Sequence, residues 1–204
     1  MIGIVDYGMS NVRSVMNAVR EVGCDPVLIS QPDDLAEATH AVVPGVGQFA
    51  AAMRRLNETG MTEAVRSFAA EGKPLLGICL GMQLLAATGT EGGETGGFAL
   101  VAGTVQRLPD ETLPVPHIGW NSVRFLRKHP VVDGVKESRD FYFVHSYVMR
   151  CGRSGDALGS TDYGQEFTSV VARDNVVGFQ FHPEKSQANG LQLLENFCRW
   201  DGAC

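Results

Sequence analysis

The sequence predicts an α/β fold: a mostly parallel sheet flanked by helices, with an antiparallel β extension in the C-terminal half. Three observations predict it. Up to Thr88, short apolar runs alternate with amphipathic segments of helical period, the pattern of a parallel sheet covered on both faces. After the glycine-rich stretch Gly89–Gly97 the period becomes that of strands. The 204 residues are 44% hydrophobic and 20% charged, without repeat, low-complexity tract or interdomain linker, which is the expectation for a single domain spanning 1–204.

Each element has its own signal. Ile2–Val5 reads as a buried strand punctuated by Gly8. Ser10 is the expected cap of a helix whose apolar residues Val12, Val15, Met16, Val19 and Val22 fall at helical spacing, closed by Gly23. Val27–Ile29 and Ala41–Val43 are the second and third strands, the latter followed by the loop Pro44-Gly45-Val46-Gly47. Ala50–Leu56 and Thr62–Ala70 are helical. Gly72-Lys73-Pro74 turns the chain into a fourth strand, Leu75–Ile78, and Leu80–Ala87 is expected to be helical. In the second half Gly103–Leu108, Asn121–Phe125 and Phe141–Met149 are β-rich. Phe167–Ala172 and Val176–Phe181 read as a hairpin turning at Arg173-Asp174-Asn175, and a last helix carries Leu191, Leu194 and Trp200.

Charge and cysteine usage narrow the function classes. The 23 acidic residues against 17 basic ones leave a formal charge of −6, which argues against the phosphate backbone of a nucleic acid as the main partner. The five cysteines, Cys24, Cys79, Cys151, Cys198 and Cys204, show no CxxC spacing. Met1–Asp6 reads as a strand entering a turn and not as a signal peptide, and no apolar run approaches the ~18 residues of a membrane span. The expectation is a cytoplasmic protein with reduced thiols and no membrane partner.

Gly77-Ile78-Cys79-Leu80-Gly81 is the most informative local motif. It stands between an apolar strand and a helix, where hydrolases place a G-x-S-x-G nucleophile elbow, with Cys in place of Ser. The tight turn needs small residues on either side, and a helix N-terminus favours thiolate. The motif alone leaves open a core cysteine in a glycine-flanked turn. A thiolate nucleophile also needs a base, and the base an orienting acceptor. Phe181-His182-Pro183-Glu184 offers both at a strand end, where extended backbone would put His182 and Glu184 on one side. The Leu80 nitrogen and the Pro44–Gly47 loop are candidate oxyanion donors, and Gln83, one helical turn beyond Cys79, is placed to hold a polar substrate.

Gly77-Ile78-Cys79-Leu80-Gly81-Met82-Gln83 with His182-Pro183-Glu184 resembles the class I (triad) glutamine amidotransferases. Those enzymes hydrolyse the side-chain amide of glutamine through a cysteinyl thioester and pass ammonia to an acceptor. Further segments are similar to one branch, the glutaminase subunits of imidazole glycerol phosphate synthases in histidine biosynthesis. They are Asp6-Tyr7-Gly8-Met9-Ser10-Asn11, Pro116-His117-Ile118-Gly119-Trp120-Asn121, Tyr142-Phe143-Val144-His145-Ser146-Tyr147 and His182-Pro183-Glu184-Lys185-Ser186. The similarity runs essentially end to end and implies a flavodoxin-like, class I amidotransferase-like fold. Ser10 and Ala102 stand where that branch commonly has glycine and proline.

The resemblance implies roles position by position. Cys79 would be the nucleophile, His182 the general base and acid, and Glu184 its orienter. Gly47 and Leu80 would frame the oxyanion hole, and Gly45, Gln83, Glu91, Ser146 and Tyr147 would bind glutamine. Asn11, Trp120, Tyr142, His145 and Lys185 would face a cyclase (synthase) subunit, a (β/α)₈ barrel, in a heterodimer. No metal or cofactor is implied. These elements fill the chain from Asn11 to Lys185, so the ammonia is expected to be consumed on the partner. Two alternatives remain at this stage: the glutaminase of another synthase (anthranilate or pyridoxal phosphate), and a non-catalytic regulatory module of the same fold.

Overall fold

A computed structural model describes residues 1–109, 111, 113–135 and 139–203; Cys204 lies outside the described residues. The chain begins β1 (Ile2–Val5), α1 (Val12–Glu21), β2 (Pro26–Ile29), α2 (Pro32–Leu35), β3 (His40–Gly45), α3 (Phe49–Glu58), α4 (Met61–Ala70), β4 (Leu75–Cys79) and α5 (Leu80–Leu84). It continues through β5 (Ala86–Gly89), β6 (Thr95–Gly96), β7 (Val101–Arg107), β8 (His117–Phe125), β9 (Arg139–His145) and β10 (Tyr147–Cys151). Then come β11 (Ala157–Asp162), β12 (Glu166–Arg173), β13 (Val176–Phe179), a 3-10 turn at Pro183–Lys185 and α6 (Gln187–Arg199).

Among the described residues the larger sheet has the order β2-β1-β3-β4-β13-β12-β11-β8-β9. The first five strands of that order are parallel, and the rest extend the sheet antiparallel. A smaller sheet, β10-β7-β5-β6, packs beside it. Alternation along the parallel strands separates two cores. Ile4, Val42, Leu76 and Val177 face Val15 and Val19 of α1 and Leu194 and Phe197 of α6. Val5, Val43 and Leu75 face Phe49, Met53 and Leu56 of α3 and Met61, Val65 and Phe68 of α4. Each of these buried side chains contributes about 2 kcal/mol through the water it no longer touches.

The structure departs from the sequence expectation at several junctions. Ser10 does not cap α1: Asp6 takes the Gly8 N–H, the chain turns, and Asn11 stands at the N-cap without a side-chain bond. The helix expected to run to Ala87 stops at Leu84, because the returning chain captures the carbonyls that would extend it. Phe98 N donates to Leu84 O at 2.7 Å, and Leu100 N and Val101 N donate to Leu85 O at 3.0 and 2.9 Å. Ala86–Gly89 is therefore strand β5. The run Phe141–Met149 is two strands in different sheets, broken at Ser146, whose carbonyl accepts from Leu108 N at 2.8 Å. Trp200 follows α6 and does not belong to it. Helix α2 and strand β11 had no distinct signal.

Candidate active site

Cys79 ends β4 and stands at the N-cap of α5 with φ +55° and ψ −109°, a left-handed conformation rare outside glycine. The neighbouring glycines make this turn possible by close approach. A Cβ on Gly77 would lie 2.5 Å from Gly81 O, and one on Gly81 would overlap Val43 O on the adjacent strand. The turn lifts the sulfur to the C-terminal edge of the parallel strands, where open α/β sheets bind ligands. There the Cys79 thiol donates weakly to Val144 O at 3.8 Å.

His182 comes from the neighbouring strand β13, whose Phe179 pairs in register with Ile78 of β4. The strand does not run to Phe181 as expected: it stops at Phe179, and Pro183–Lys185 forms a 3-10 turn closed by Lys185 N donating to His182 O at 3.1 Å. The turn, and not extended backbone, folds the Glu184 carboxylate back under the ring. His182 Nδ1 donates to Glu184 Oε1 at 2.8 Å, with both side chains nearly fully buried. This bond fixes Nδ1 as the protonated nitrogen and leaves Nε2 turned toward the sulfur.

The electrostatics of His182 follow from these neighbours. Burial opposes its charge and is the largest influence. The Cys79 sulfur and the Glu184 carboxylate, as acceptors and as charges, together outweigh it and raise the imidazole to about 9. Nε2 nevertheless makes no hydrogen bond of ordinary length and angle, so the pair is close but not aligned. Catalytic bonds are often loose before substrate binds.

Cys79 and His182 open onto a pocket of about 280 Å³, also lined by Gly47, Leu80, Gln83, Glu91, Ser146 and Tyr147. That size lies at the small end for small-molecule sites. Gln83 is buried, and both its N–H bonds are taken, by Tyr147 O at 2.8 Å and Gln180 Oε1 at 3.1 Å. Glu91 accepts from Phe49 N at 2.9 Å, capping α3 from a distance, and burial raises its carboxyl. Gly45 does not line the pocket. It lies beneath, where an added Cβ would run into the Tyr7 hydroxyl and Leu80.

A family model described as "Glutamine amidotransferase class-I" matches residues 3–200. The chain belongs to that family. Among its relatives, the "Imidazole glycerol phosphate synthase subunit HisH" of Sulfurimonas denitrificans is 48% identical over 204 residues, 98% of each chain. "Imidazole glycerol phosphate synthase subunit HisH 2" of Nitrobacter winogradskyi is 46% identical over 208 residues, again 98% of each. A crystal structure titled as a glutamine amidotransferase superposes with TM-score 0.75 at 21% identity, covering 97% of this chain and 98% of that one. PurLQS from Thermotoga maritima superposes with TM-score 0.76 at 16% identity, covering 97% and 96%; these two likenesses speak to the fold alone.

In this amidotransferase the residues expected at a partner surface divide. Trp120 is 49% exposed, its ring meets Tyr142 edge-on at 5.9 Å, and the Lys185 ammonium lies 5.7 Å from the Tyr142 ring. Ile118, two residues before Trp120 on β8, is 58% exposed on the same face. Asn11 is half-buried at the start of α1. His145 is not on that face: it is 6% exposed, its Nδ1 donating to Tyr147 O at 3.0 Å and its Nε2 accepting from His117 Nδ1 at 2.9 Å.

Two site residues carried no role in the sequence reading. Ser186, fully buried, accepts from Tyr142 N at 3.0 Å and donates to His182 O at 2.6 Å, clamping the histidine backbone to β9. Gln180 lies fully buried between two phenylalanines of the same edge; a polar residue in an apolar run beside His182 was its signal. A larger cleft of about 870 Å³ near Arg127, His129 and Trp200 contains none of these groups.

Proposed function

We propose that this chain is the glutaminase subunit of an imidazole glycerol phosphate synthase. It hydrolyses the side-chain amide of glutamine and passes the ammonia to a cyclase subunit, which forms imidazole glycerol phosphate and AICAR in histidine biosynthesis. The observation that carries the reading is the meeting of Cys79 with the His182–Glu184 pair at one small pocket, in a chain whose relatives bear the HisH name.

The chemistry follows from the geometry. With the Cys79 proton held on His182 Nε2, the thiolate attacks the amide carbon. The oxyanion is held by backbone N–H groups of Leu80, an orphan donor at the start of α5, and of Gly47. His182 returns its proton to the departing nitrogen, ammonia leaves, and a thioester remains. The imidazole then takes a proton from water, whose oxygen cleaves the thioester to glutamate and restores the thiol. Glu184 holds the imidazolium in place throughout. With both Gln83 N–H bonds taken, its Oε1 and the free oxygen of Glu91 are the acceptors for the substrate ammonium, beside the main chain of Ser146 and Tyr147.

Ammonia in neutral water becomes ammonium and loses its nucleophilicity, so a closed path into a (β/α)₈ partner is part of the proposal. Residues 1–204 act as one amidotransferase domain within a cytoplasmic heterodimer. The exposed Ile118, Trp120 and Lys185, with the half-buried Tyr142, suit its docking face. The test is glutamate release with and without the cyclase and its nucleotide-like substrate. Hydrolysis surviving Cys79→Ala removes the nucleophile assignment. Co-purification with a partner that is not a (β/α)₈ barrel moves the chain to another synthase.

A further inference from the structure

A directed chain of hydrogen bonds runs beneath the pocket, and a main-chain carbonyl fixes its sense. Tyr147 O can only accept, and it accepts from His145 Nδ1 at 3.0 Å and Gln83 Nε2 at 2.8 Å. The amide nitrogen of Gln83 is therefore the end that faces Tyr147. That same nitrogen reaches Gln180 at 3.1 Å, so the Gln180 atom it meets is the oxygen. The Gln180 nitrogen is left pointing the other way, at Cys79 Sγ, 4.0 Å distant. Neither amide can flip without setting N–H against N–H or oxygen against oxygen in a fully desolvated place; Gln180 is 0% and Gln83 4% exposed.

We infer that Gln180 is a further catalytic residue, whose amide N–H holds the Cys79 thiolate. The inference rests on Cys79 being the nucleophile. When the thiol proton moves to His182 Nε2, the electron pair stays on the sulfur of a residue that is only 7% exposed and packs into an apolar core cluster. Hydrogen bonding to the charged form is what makes a buried anion tolerable. The helix behind the sulfur has only five residues, so its dipole is short, and a side-chain donor has correspondingly more to supply. Gln83 takes a second role in this arrangement: it holds Gln180 by the oxygen and aims the nitrogen at the sulfur.

The experiment is the pH profile of Cys79 carbamidomethylation by iodoacetamide in the full chain, read by mass spectrometry of the peptide that carries Cys79. The parent is compared with Gln180→Met and Gln180→Glu, the folding of each checked by thermal unfolding. Gln180→Glu keeps an oxygen for Gln83 and replaces the donor by an acceptor; Gln180→Met removes both. The expected result for Gln180→Met is a loss of about tenfold in alkylation rate at neutral pH, recovered in alkali where the thiol is ionised regardless. Gln180→Glu loses at least as much. A folded Gln180→Glu with the parent's profile overturns the proposal, since Gln180 would then serve only as an acceptor for Gln83. A folded Gln180→Met with the parent's profile does the same, so either variant decides alone if the other fails to fold. The assay contains no glutamine. An unmoved profile leaves the glutaminase reading intact, and hydrolysis surviving Cys79→Ala would sink that reading without touching the alkylation result.

Discussion

The Val46 N–H donates to the Met9 carbonyl at 3.0 Å. Val46 lies on the loop that follows β3 and lines the pocket beside Gly47, so this bond already commits one N–H of the loop proposed above to hold the oxyanion. The peptide so held is Gly45–Val46, and its reversal changes ψ at Gly45, a residue without a Cβ to resist it. The isolated chain is therefore expected to hydrolyse glutamine slowly, and addition of the cyclase with its substrate to raise the rate about 10²-fold or more, the worth of one oxyanion donor. Steady-state release of glutamate measures it. Equal rates with and without partner would mean that the Met9 bond restrains nothing.

Glu184→Gln keeps the shape and an accepting oxygen beneath His182 but removes the charge that supports its imidazolium. The expected outcome is a fall in kcat of about 10²-fold or more with KM little changed, because the loss falls on the transition state. A KM-only effect would assign Glu184 to substrate binding instead.

Acid sensitivity should come from three buried histidines other than His182. Burial lowers His117 to about 4; it lowers His129, helped by nearby Arg127, to about 4, and His145, helped by His117, to about 3. These groups are neutral when folded and protonated when unfolded below about 6.5, so their stability contribution is whole above that pH and lost as pH falls toward 4 and 3. His182 has the opposite sign: raised to about 9, its contribution is whole below about 6.5 and lost as pH climbs through 9. Urea unfolding across pH should give an asymmetric profile, steeper on the acid side. His129→Asn should reduce the acid slope by about 1.4 kcal/mol per pH unit; an unchanged slope would show that His129 is protonated in the folded chain.

Trp120→Ala removes an exposed aromatic anchor without touching the pocket. Its expected effect is a weakening of cyclase binding by about tenfold or more, with the slow hydrolysis of the isolated chain preserved. Titration calorimetry against the proposed cyclase subunit distinguishes this from a neutral surface change.

The parallel half of the fold was legible because its signals are local: apolar runs of strand length, helical periods, and glycines at the Cys79 turn. What escaped was decided by distant chain. The shortened α5 depends on residues 97–101 returning to take its carbonyls, and nothing within Leu80–Ala87 announces this. The break at Ser146 is hidden because the alternation of Phe141, Phe143 and His145 runs on into β10 without a proline or glycine. The placing of Cys79 beside His182 could be argued from chemistry alone. The burial of His145 could not, since it depends on His117 from another strand. Gln180 looked like one polar residue in a strand of phenylalanines until its two amide ends were seen to be committed.

Strand β13 lies near the middle of the larger sheet, between β4 and β12, although it is made almost last. During synthesis, β4 and Cys79 therefore emerge long before the strand that shields them and the histidine that follows it. A nascent or C-terminally clipped chain carries the thiol but neither His182 nor Glu184, and its Cys79 strand keeps an open edge. The order of the strands thus makes the site late to assemble: the sulfur gains its histidine only once β13 and the turn at Pro183–Lys185 have been made.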